Sequence, residues 1–267
     1  MQNYWKQTTI GLGVLGALIL GWYAHDYYNL HIVDRTDEVE QIRENSSKYK
    51  FINPIIFVAD RRKVEFEEYA DLKNKIEDYV SDATWHGKAQ NISVYFRDLN
   101  GGEWFSVNPE ELYAPSSMMK VATLMAYLKL AEDNPGILTE QVAYTPTGSE
   151  GQNYKVGKQF SAGNYTVKEL LEQMLIESDN DAAVALNGVH AEEVLKIYKD
   201  LELPDPLSDK IDFMSAGAYS RIFRTLYNGS YISREYSEYA LELLSKTKFT
   251  NGLAAGSNRN TVSHKFG

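Results

Sequence analysis

Tyr113-Ala114-Pro115-Ser116-Ser117-Met118-Met119-Lys120-Val121-Ala122-Thr123-Leu124-Met125-Ala126-Tyr127-Leu128 is the stretch that decides the fold. It predicts one long helix from Ser117 to Glu132, stopped by Asn134-Pro135-Gly136. A helix that is apolar on every side belongs in a core, yet Lys120 is the only charge between Met118 and Leu128. Burying an amine there is costly unless it is neutralised or paired. Positions i and i+3 share a helix face, so Ser117 Oγ and Lys120 Nζ are expected to meet. A serine hydroxyl is a weak nucleophile at neutral pH, and a lysine whose pKa is lowered by burial can serve as its base. The helix amino terminus adds N–H groups and positive potential where an oxyanion would form. The plainer alternative is a lysine snorkelling out of a helix end. The same spacing recurs at Ser47/Lys50 and Ser245/Lys248, the first in a polar linker and the second at the polar end of a helix, so context singles out Ser117.

Working outward, Glu65–Tyr79 has helical spacing (Phe66, Tyr69, Leu72, Ile76, Tyr79). Residues 92–96 and 104–107, joined through Asn100-Gly101-Gly102, predict a hairpin. Thr166-Val167-Lys168-Glu169 is a capping box that opens a helix running to about Glu177. Further helices are expected at 191–200, 215–227 and 234–246, and a short strand at Thr261–Phe266. One helix, a hairpin, many helices and a late strand describe an α+β arrangement with an antiparallel sheet.

Two further groups of residues stand downstream of Ser117. Ser178-Asp179-Asn180 follows the 166–177 helix and by itself is an ordinary polar turn, since all three residue types favour caps. Lys265-Phe266-Gly267 follows later. Taken in order, Ser-x-x-Lys, Ser-Asp-Asn and Lys-x-Gly resemble the signature of class A β-lactamases and penicillin-binding proteins. The text around them, Tyr113 to Val121 and Val262-Ser263-His264-Lys265, is also similar to that family, from about residue 64 to the end.

The resemblance implies a β-lactamase/transpeptidase-like fold: an antiparallel sheet flanked by helices, plus an all-helical lobe. The family carries further carboxyl-terminal strands and a helix beyond the third motif, so a carboxyl-terminal truncation at Gly267 is expected. Carried over residue by residue, it implies that Ser117 is acylated, that Lys120 helps to activate it and that Ser178 relays a proton to the leaving nitrogen. Asn180 would hydrogen-bond the acylamide side chain of the substrate. Lys265 would supply positive charge to Ser178 and to a substrate carboxylate, with Gly267 beside it in the substrate site.

Two departures stand out. Phe266 occupies the place of the usual Thr or Ser. No glutamate in the family's pattern is recognisable in Asn187–Phe213, where Glu192, Glu193, Asp200, Glu202, Asp205, Asp209 and Asp212 are the available carboxylates and Glu202 and Asp205 the first candidates for a deacylating base. The expected activity is a β-lactamase-like serine hydrolase acting through an acyl-enzyme on β-lactam-like or D-Ala-D-Ala-like amides. A DD-peptidase or penicillin-binding protein with slow deacylation is the alternative, and a non-catalytic cell-envelope binding protein the alternative of another class.

Composition bounds the rest. A formal net charge of -10 without a basic cluster argues against nucleic acid as a partner. With Cys 0 there are no disulfides and no thiol nucleophile. His25, His31, His86, His190 and His264 are scattered singly, so neither a metal nor another cofactor is implied. Gln7–Ala24 carries no charged side chain and is long enough to cross a hydrocarbon core of about 30 Å. A cleavable signal peptide and a buried core helix are the alternatives to an anchor, although Trp22-Tyr23-Ala24-His25-Asp26 lacks a small-x-small site. Lys6 before this segment and Asp26, Asp34, Asp37, Glu38 and Glu40 after it place the amino terminus in the cytoplasm and the remainder outside. The expected organisation is an anchor at 1–25, a stalk at 26–63 that docks at its far end through Phe51–Phe57, and a catalytic domain at 64–267. Its partners would be the membrane, through residues 7–24, and a small-molecule or peptidoglycan-peptide substrate.

Overall fold

The computed structural model describes residues 41–44, 47–58, 69–147, 159–257 and 261–267. Strands β1 (Gln41–Arg43) and β2 (Ile55–Val58) pair with each other, and helix α1 (Ala70–Trp85) follows. Next come the hairpin β3 (Val94–Arg97) and β4 (Trp104–Val107), a 3-10 turn at Ser116–Met119 and helix α2 (Lys120–Asp133). Strands β5 (Gln141–Tyr144) and β6 (Gly163–Thr166) lead into helices α3 (Val167–Ile176), α4 (Asn180–Asp200), α5 (Ala216–Asn228) and α6 (Arg234–Ser245). All described residues except Val58 fall in one unit, residues 41–57 with 63–267.

Helix α2 is the axis of this unit. Val121, Ala122, Leu124, Met125, Ala126, Tyr127 and Leu128 are all buried, as an all-round apolar helix requires. It packs chiefly on α4, where Thr123 Oγ1 donates to Asn187 Oδ1 (2.9 Å) and Tyr127 OH to the Leu186 carbonyl (2.7 Å). The small residues Ala182 and Ala183 let the two helices approach. Helix α3 adds Leu170, Leu171, Met174 and Leu175 to the same core. Its start is the expected capping box: Glu169 N–H donates to Thr166 Oγ1 (3.2 Å), and Thr166 N–H to Glu169 Oε2 (2.8 Å).

The hairpin has the register Val94↔Val107 to Arg97↔Trp104, with Phe96 and Phe105 stacked at 5.1 Å. The far end of the expected stalk packs on α5 and α6. Ile52 is buried, the N–H groups of Lys50, Phe51 and Ile52 reach the Glu238 carboxylate, and Asn53 N–H donates to the Tyr227 carbonyl. The anchor expected at 7–24 lies outside the described residues. Among the described residues no helix is long and apolar enough to cross a membrane.

Several expectations are corrected. The helix placed at Glu65–Tyr79 runs over Ala70–Trp85 in its described part. The helix placed at 191–200 is the second half of α4, which starts at Asn180 and is bent at His190 (φ -130°, ψ 48°). The Asp179 side chain caps its first turn, so the helix begins inside the Ser-Asp-Asn triplet instead of after it. No strand forms at Thr261–Phe266, because its polar groups are taken by α6 and the residues after it. His264 N–H donates to the Leu244 carbonyl, Ser263 Oγ to the Leu241 carbonyl, and Thr247 Oγ1 to the His264 carbonyl. In place of one antiparallel sheet, the described residues form three two-stranded ladders; β5–β6, registered Gln141↔Thr166, was not expected from the sequence pattern.

Leu124, fully buried in α2, should cost about 2–5 kcal/mol when replaced by alanine. Leu253→Ala, at a residue 92% exposed, should stay within about 0.5 kcal/mol of wild type. Urea unfolding of both variants checks the assignment of α2 as the core helix.

Candidate active site

Three separate segments bring charged and hydroxyl groups to the amino-terminal end of α2. The first is the 3-10 turn that holds Ser117. A pair of backbone bonds between Tyr113 and Met214 fixes its approach, Met118 N–H closes on the Pro115 carbonyl (2.9 Å), and the hydroxyl of half-buried Tyr219 donates to the Met118 carbonyl (3.1 Å). Ser116 sits at φ 47°, a left-handed conformation uncommon for a non-glycine residue and recurrent where a turn presents a functional group. Lys120, first residue of α2, is buried beneath this turn.

The second segment is the α3–α4 connection. Ser178 is also left-handed (φ 57°), which lets both its carbonyl and its hydroxyl face the lysines. Asp179 is almost wholly buried, and its carboxylate is saturated: Oδ1 accepts from the Asp181 and Ala182 N–H groups (2.8 and 3.1 Å), Oδ2 from Tyr144 OH and Gln173 Nε2 (2.9 and 3.0 Å). That cradle fixes the turn. The third segment is Lys265-Phe266-Gly267, with Lys265 buried.

Lys120 Nζ lies 3.0 Å from Ser117 Oγ, 2.6 Å from the Ser178 carbonyl, 2.6 Å from Asn180 Oδ1 and 3.3 Å from Ser178 Oγ. The Ser178 carbonyl and Asn180 Oδ1 are pure acceptors, so each takes an N–H. The remaining direction faces Ser117 Oγ, which can accept from an ammonium or donate to the lone pair of a neutral amine. Burial lowers the Lys120 pKa to about 8, the charge of Asp179 opposing part of the shift. Lys265 Nζ donates to Ser178 Oγ (2.9 Å) and to the Phe266 carbonyl (2.9 Å). Its pKa is lowered to about 7, first by burial and then by Lys120. Ser178 Oγ therefore bridges two amines, both able to exchange protons near neutral pH.

All six site residues expected from the sequence gather here. Ser117, Lys120, Ser178, Asn180 and Lys265 form one hydrogen-bonded set, and Gly267 lies against the turn of Ser117, where an added Cβ would meet the Pro115 carbonyl at 2.3 Å. Glu202 and Asp205 do not join them. Glu202 is exposed, and Asp205 Oδ1 accepts from the Leu207 N–H of its own loop. Among the described residues, no carboxylate of 187–213 hydrogen-bonds Ser117 or Lys120. Tyr144 and Gln173 hold the Ser178 turn through Asp179 and carried no sequence signal, because their role exists only once β5 and α3 have packed. Among the described residues no group of side chains could hold a metal ion.

The family model of the β-lactamase enzyme family matches residues 71–267. Solved structures share the fold at low identity. The protein named PBP-A matches with a TM-score of 0.60 and 19% identity, over 73% of this chain and 76% of that one. A PBP-A variant in an acyl-enzyme complex with penicillin G matches with a TM-score of 0.55 and 18% identity, over 68% and 70%. A class A β-lactamase from Mycobacterium abscessus matches with a TM-score of 0.54 and 19% identity, over 64% and 70%. No curated protein matches the chain.

The two lysines make stability pH-dependent. The folded state releases their protons near pH 8 and 7, whereas an unfolded lysine holds its proton to about pH 10.4. Between pH 7 and 9 the unfolded chain thus binds more protons, and stability rises with pH. Thermal melting should show a higher midpoint at pH 9 than at pH 7, and the rise should flatten in the Lys120→Met/Lys265→Met double variant.

Proposed function

The chain belongs to the β-lactamase enzyme family, and on that premise we propose that it is a serine hydrolase that forms an acyl-enzyme at Ser117 with β-lactam-like or D-Ala-D-Ala-like amides. The observation that carries this is Lys120 Nζ, held by two pure acceptors with its third direction on Ser117 Oγ. With a pKa of about 8, roughly a tenth of Lys120 is neutral at pH 7. In that form it accepts the Ser117 proton as Oγ bonds to the carbonyl carbon. The Ser117 backbone N–H, at the positive end of α2, serves the developing oxyanion. As the carbon–nitrogen bond breaks, Ser178 Oγ delivers a proton to the leaving nitrogen and regains one from the amine beside it. Asn180 Oδ1 is occupied by Lys120, which leaves its amide N–H groups for the acylamide carbonyl of a substrate.

Penicillin-binding behaviour, with slow deacylation, is the second reading. It is favoured by the hydrogen-bond pattern around Ser117, in which no described carboxylate of 187–213 takes part. Deacylation needs a base on a water, and losing one removes about 3–5 kcal/mol of transition-state stabilisation if it contributes 10²- to 10⁴-fold. The uncharged run Gln7–Ala24, with Lys6 before it and acidic residues after it, supports a membrane anchor that holds the catalytic unit outside the cytoplasm, facing peptidoglycan-type peptides.

A reactive acyl probe such as fluorescent penicillin should label Ser117 alone, as mass spectrometry of the labelled peptide will show, and Ser117→Ala should abolish labelling. Lys120→Ala should slow labelling by about 10²- to 10⁴-fold with the fold retained. The wild-type rate should rise about tenfold from pH 7 to pH 9 as Lys120 becomes neutral. Label on Ser47 or Ser245 with Ser117 untouched would refute the mechanism.

A further inference from the structure

Ser117 is carried by a four-residue 3-10 turn, Ser116–Met119, that starts on a left-handed serine (Ser116, φ 47°). A non-glycine residue keeps that conformation only where its surroundings impose it. Two of the restraints come from one short stretch of chain, Met214–Tyr219, at the start of α5. Before Ser117, Tyr113 N–H donates to the Met214 carbonyl (3.0 Å) and Met214 N–H to the Tyr113 carbonyl (3.1 Å). After it, the Tyr219 hydroxyl donates to the Met118 carbonyl (3.1 Å). The stretch is itself fixed, since Ser215 Oγ caps α5 by accepting from Ala218 N–H (3.1 Å) and Tyr219 N–H donates to the Ser215 carbonyl (3.0 Å). The start of α5 thus grips the nucleophile turn at both ends.

The first grip is main chain on main chain and would form with many side chains at 113 and 214. The second depends on a single phenol hydroxyl. Met118 lies between Ser117 and Lys120 in the chain, so fixing its carbonyl fixes the backbone that links nucleophile and base. A carbonyl oxygen only accepts, so the hydroxyl is the donor. Desolvation, with Tyr198 as the lesser cause, pushes the Tyr219 pKa up, so that the phenol keeps its proton where Lys120 and Lys265 titrate. Its ring is steadied by an edge-to-face contact with Phe223, centroids 5.8 Å apart. Lys120 Nζ lies 3.0 Å from Ser117 Oγ, a separation at which a small misalignment of the two groups costs rate.

We infer that Tyr219 is a positioning residue for acylation: by holding the Met118 carbonyl it keeps the Ser117 hydroxyl aligned on Lys120 Nζ. It acts through the backbone and lies outside the three motifs. The inference rests on the acyl-enzyme reading of Ser117 and leaves its chemistry unchanged. Ser117 Oγ still bonds to the carbonyl carbon as its proton passes to Lys120, and the leaving nitrogen still departs with a proton from Ser178.

Labelling of the full chain with fluorescent penicillin over a range of concentrations gives a limiting acylation rate and a half-saturating concentration. In Tyr219→Phe the limiting rate should fall about three- to tenfold, the worth of one neutral hydrogen bond. The half-saturating concentration should stay within about twofold, and the pH at half-maximal rate should not move, because no titrating group has changed. Ile222→Val trims the buried face of the same helix and lowers the melting midpoint, yet should leave the limiting rate within about twofold of wild type. With 4-aminophenylalanine in place of Tyr219, an N–H donor stands where the hydroxyl was, and the limiting rate should stay within about threefold. A folded Tyr219→Phe whose limiting rate matches wild type overturns the inference. So does a change confined to the half-saturating concentration, or an equal loss of rate in Ile222→Val. Should Tyr219→Phe fail to fold, the aminophenylalanine variant decides, and a fall of about tenfold there overturns the inference. A wild-type chain not labelled at Ser117 overturns the acyl-enzyme reading itself, and the inference with it.

Discussion

An amine buried in an apolar helix must be compensated, and in this protein the compensation of Lys120 is what the site is built around. Lys120 is only 6% exposed, at the head of a helix whose next eight residues are all buried. Removing such a group from water costs several kcal/mol unless hydrogen bonds replace the lost hydration. Within α2 the hydroxyls of Thr123 and Tyr127 are committed to Asn187 and to the Leu186 carbonyl, and the other near neighbours are methyl, thioether and aliphatic groups. The bonds to Lys120 come from the α3–α4 connection, through the Ser178 carbonyl and Asn180 Oδ1. The packing of α4 on α2 and the left-handed turn at Ser178 are therefore conditions for burying Lys120 at all, and that burial is what makes its amine basic at a useful pH.

The turn that meets Lys120 is held by a second buried charge. Asp179 takes two N–H groups from the first turn of α4, a hydroxyl from β5 and an amide from α3, so three elements converge on one carboxylate. Asp181, two residues on, repeats the device: it receives Thr147 N–H, Thr147 Oγ1 and Gln159 Nε2. An aromatic group of Tyr144, Phe160 and Tyr165 packs next to this junction. Charge on Asp179 also opposes the lowering of the Lys120 pKa. The same carboxylate thus fixes the geometry and limits how far the base is neutralised.

Ser178 joins the two lysines of the site. Its hydroxyl lies between Lys120 and Lys265, each of which is destabilised as a cation by burial, and Lys265 also by Lys120. Two amines on one hydroxyl cannot both remain charged cheaply in a site of low dielectric. In the proposed mechanism that arrangement would let a proton leave Ser117 and return through Ser178. Towards the third motif, Lys265 Nζ lies over the Phe266 ring, which is stacked on Phe249.

The amino-acid sequence by itself determined the local features. The apolar run after Met118, the capping box at Thr166–Glu169 and the hairpin through Gly101-Gly102 are short-range patterns, and the corresponding elements form. Ser117 and Lys120 were legible as a pair because i and i+3 are neighbours on any helical turn. The resemblance carried by the three motifs singled out Ser178, Asn180, Lys265 and Gly267, and the structure brings these residues to the Ser117 turn. What only the tertiary structure decided are relations between distant segments. These include the placement of Ser178 between two lysines, the Tyr144 and Gln173 bonds to Asp179, the pairing of β5 with β6, and the stacking of Phe249 on Phe266. The segment at Thr261–Phe266 shows why: its alternation fits a strand, but a ladder also needs a partner, and its polar groups bond to α6 and the residues just after it. Hydrogen-bond partners across the fold depend on packing that no local pattern encodes.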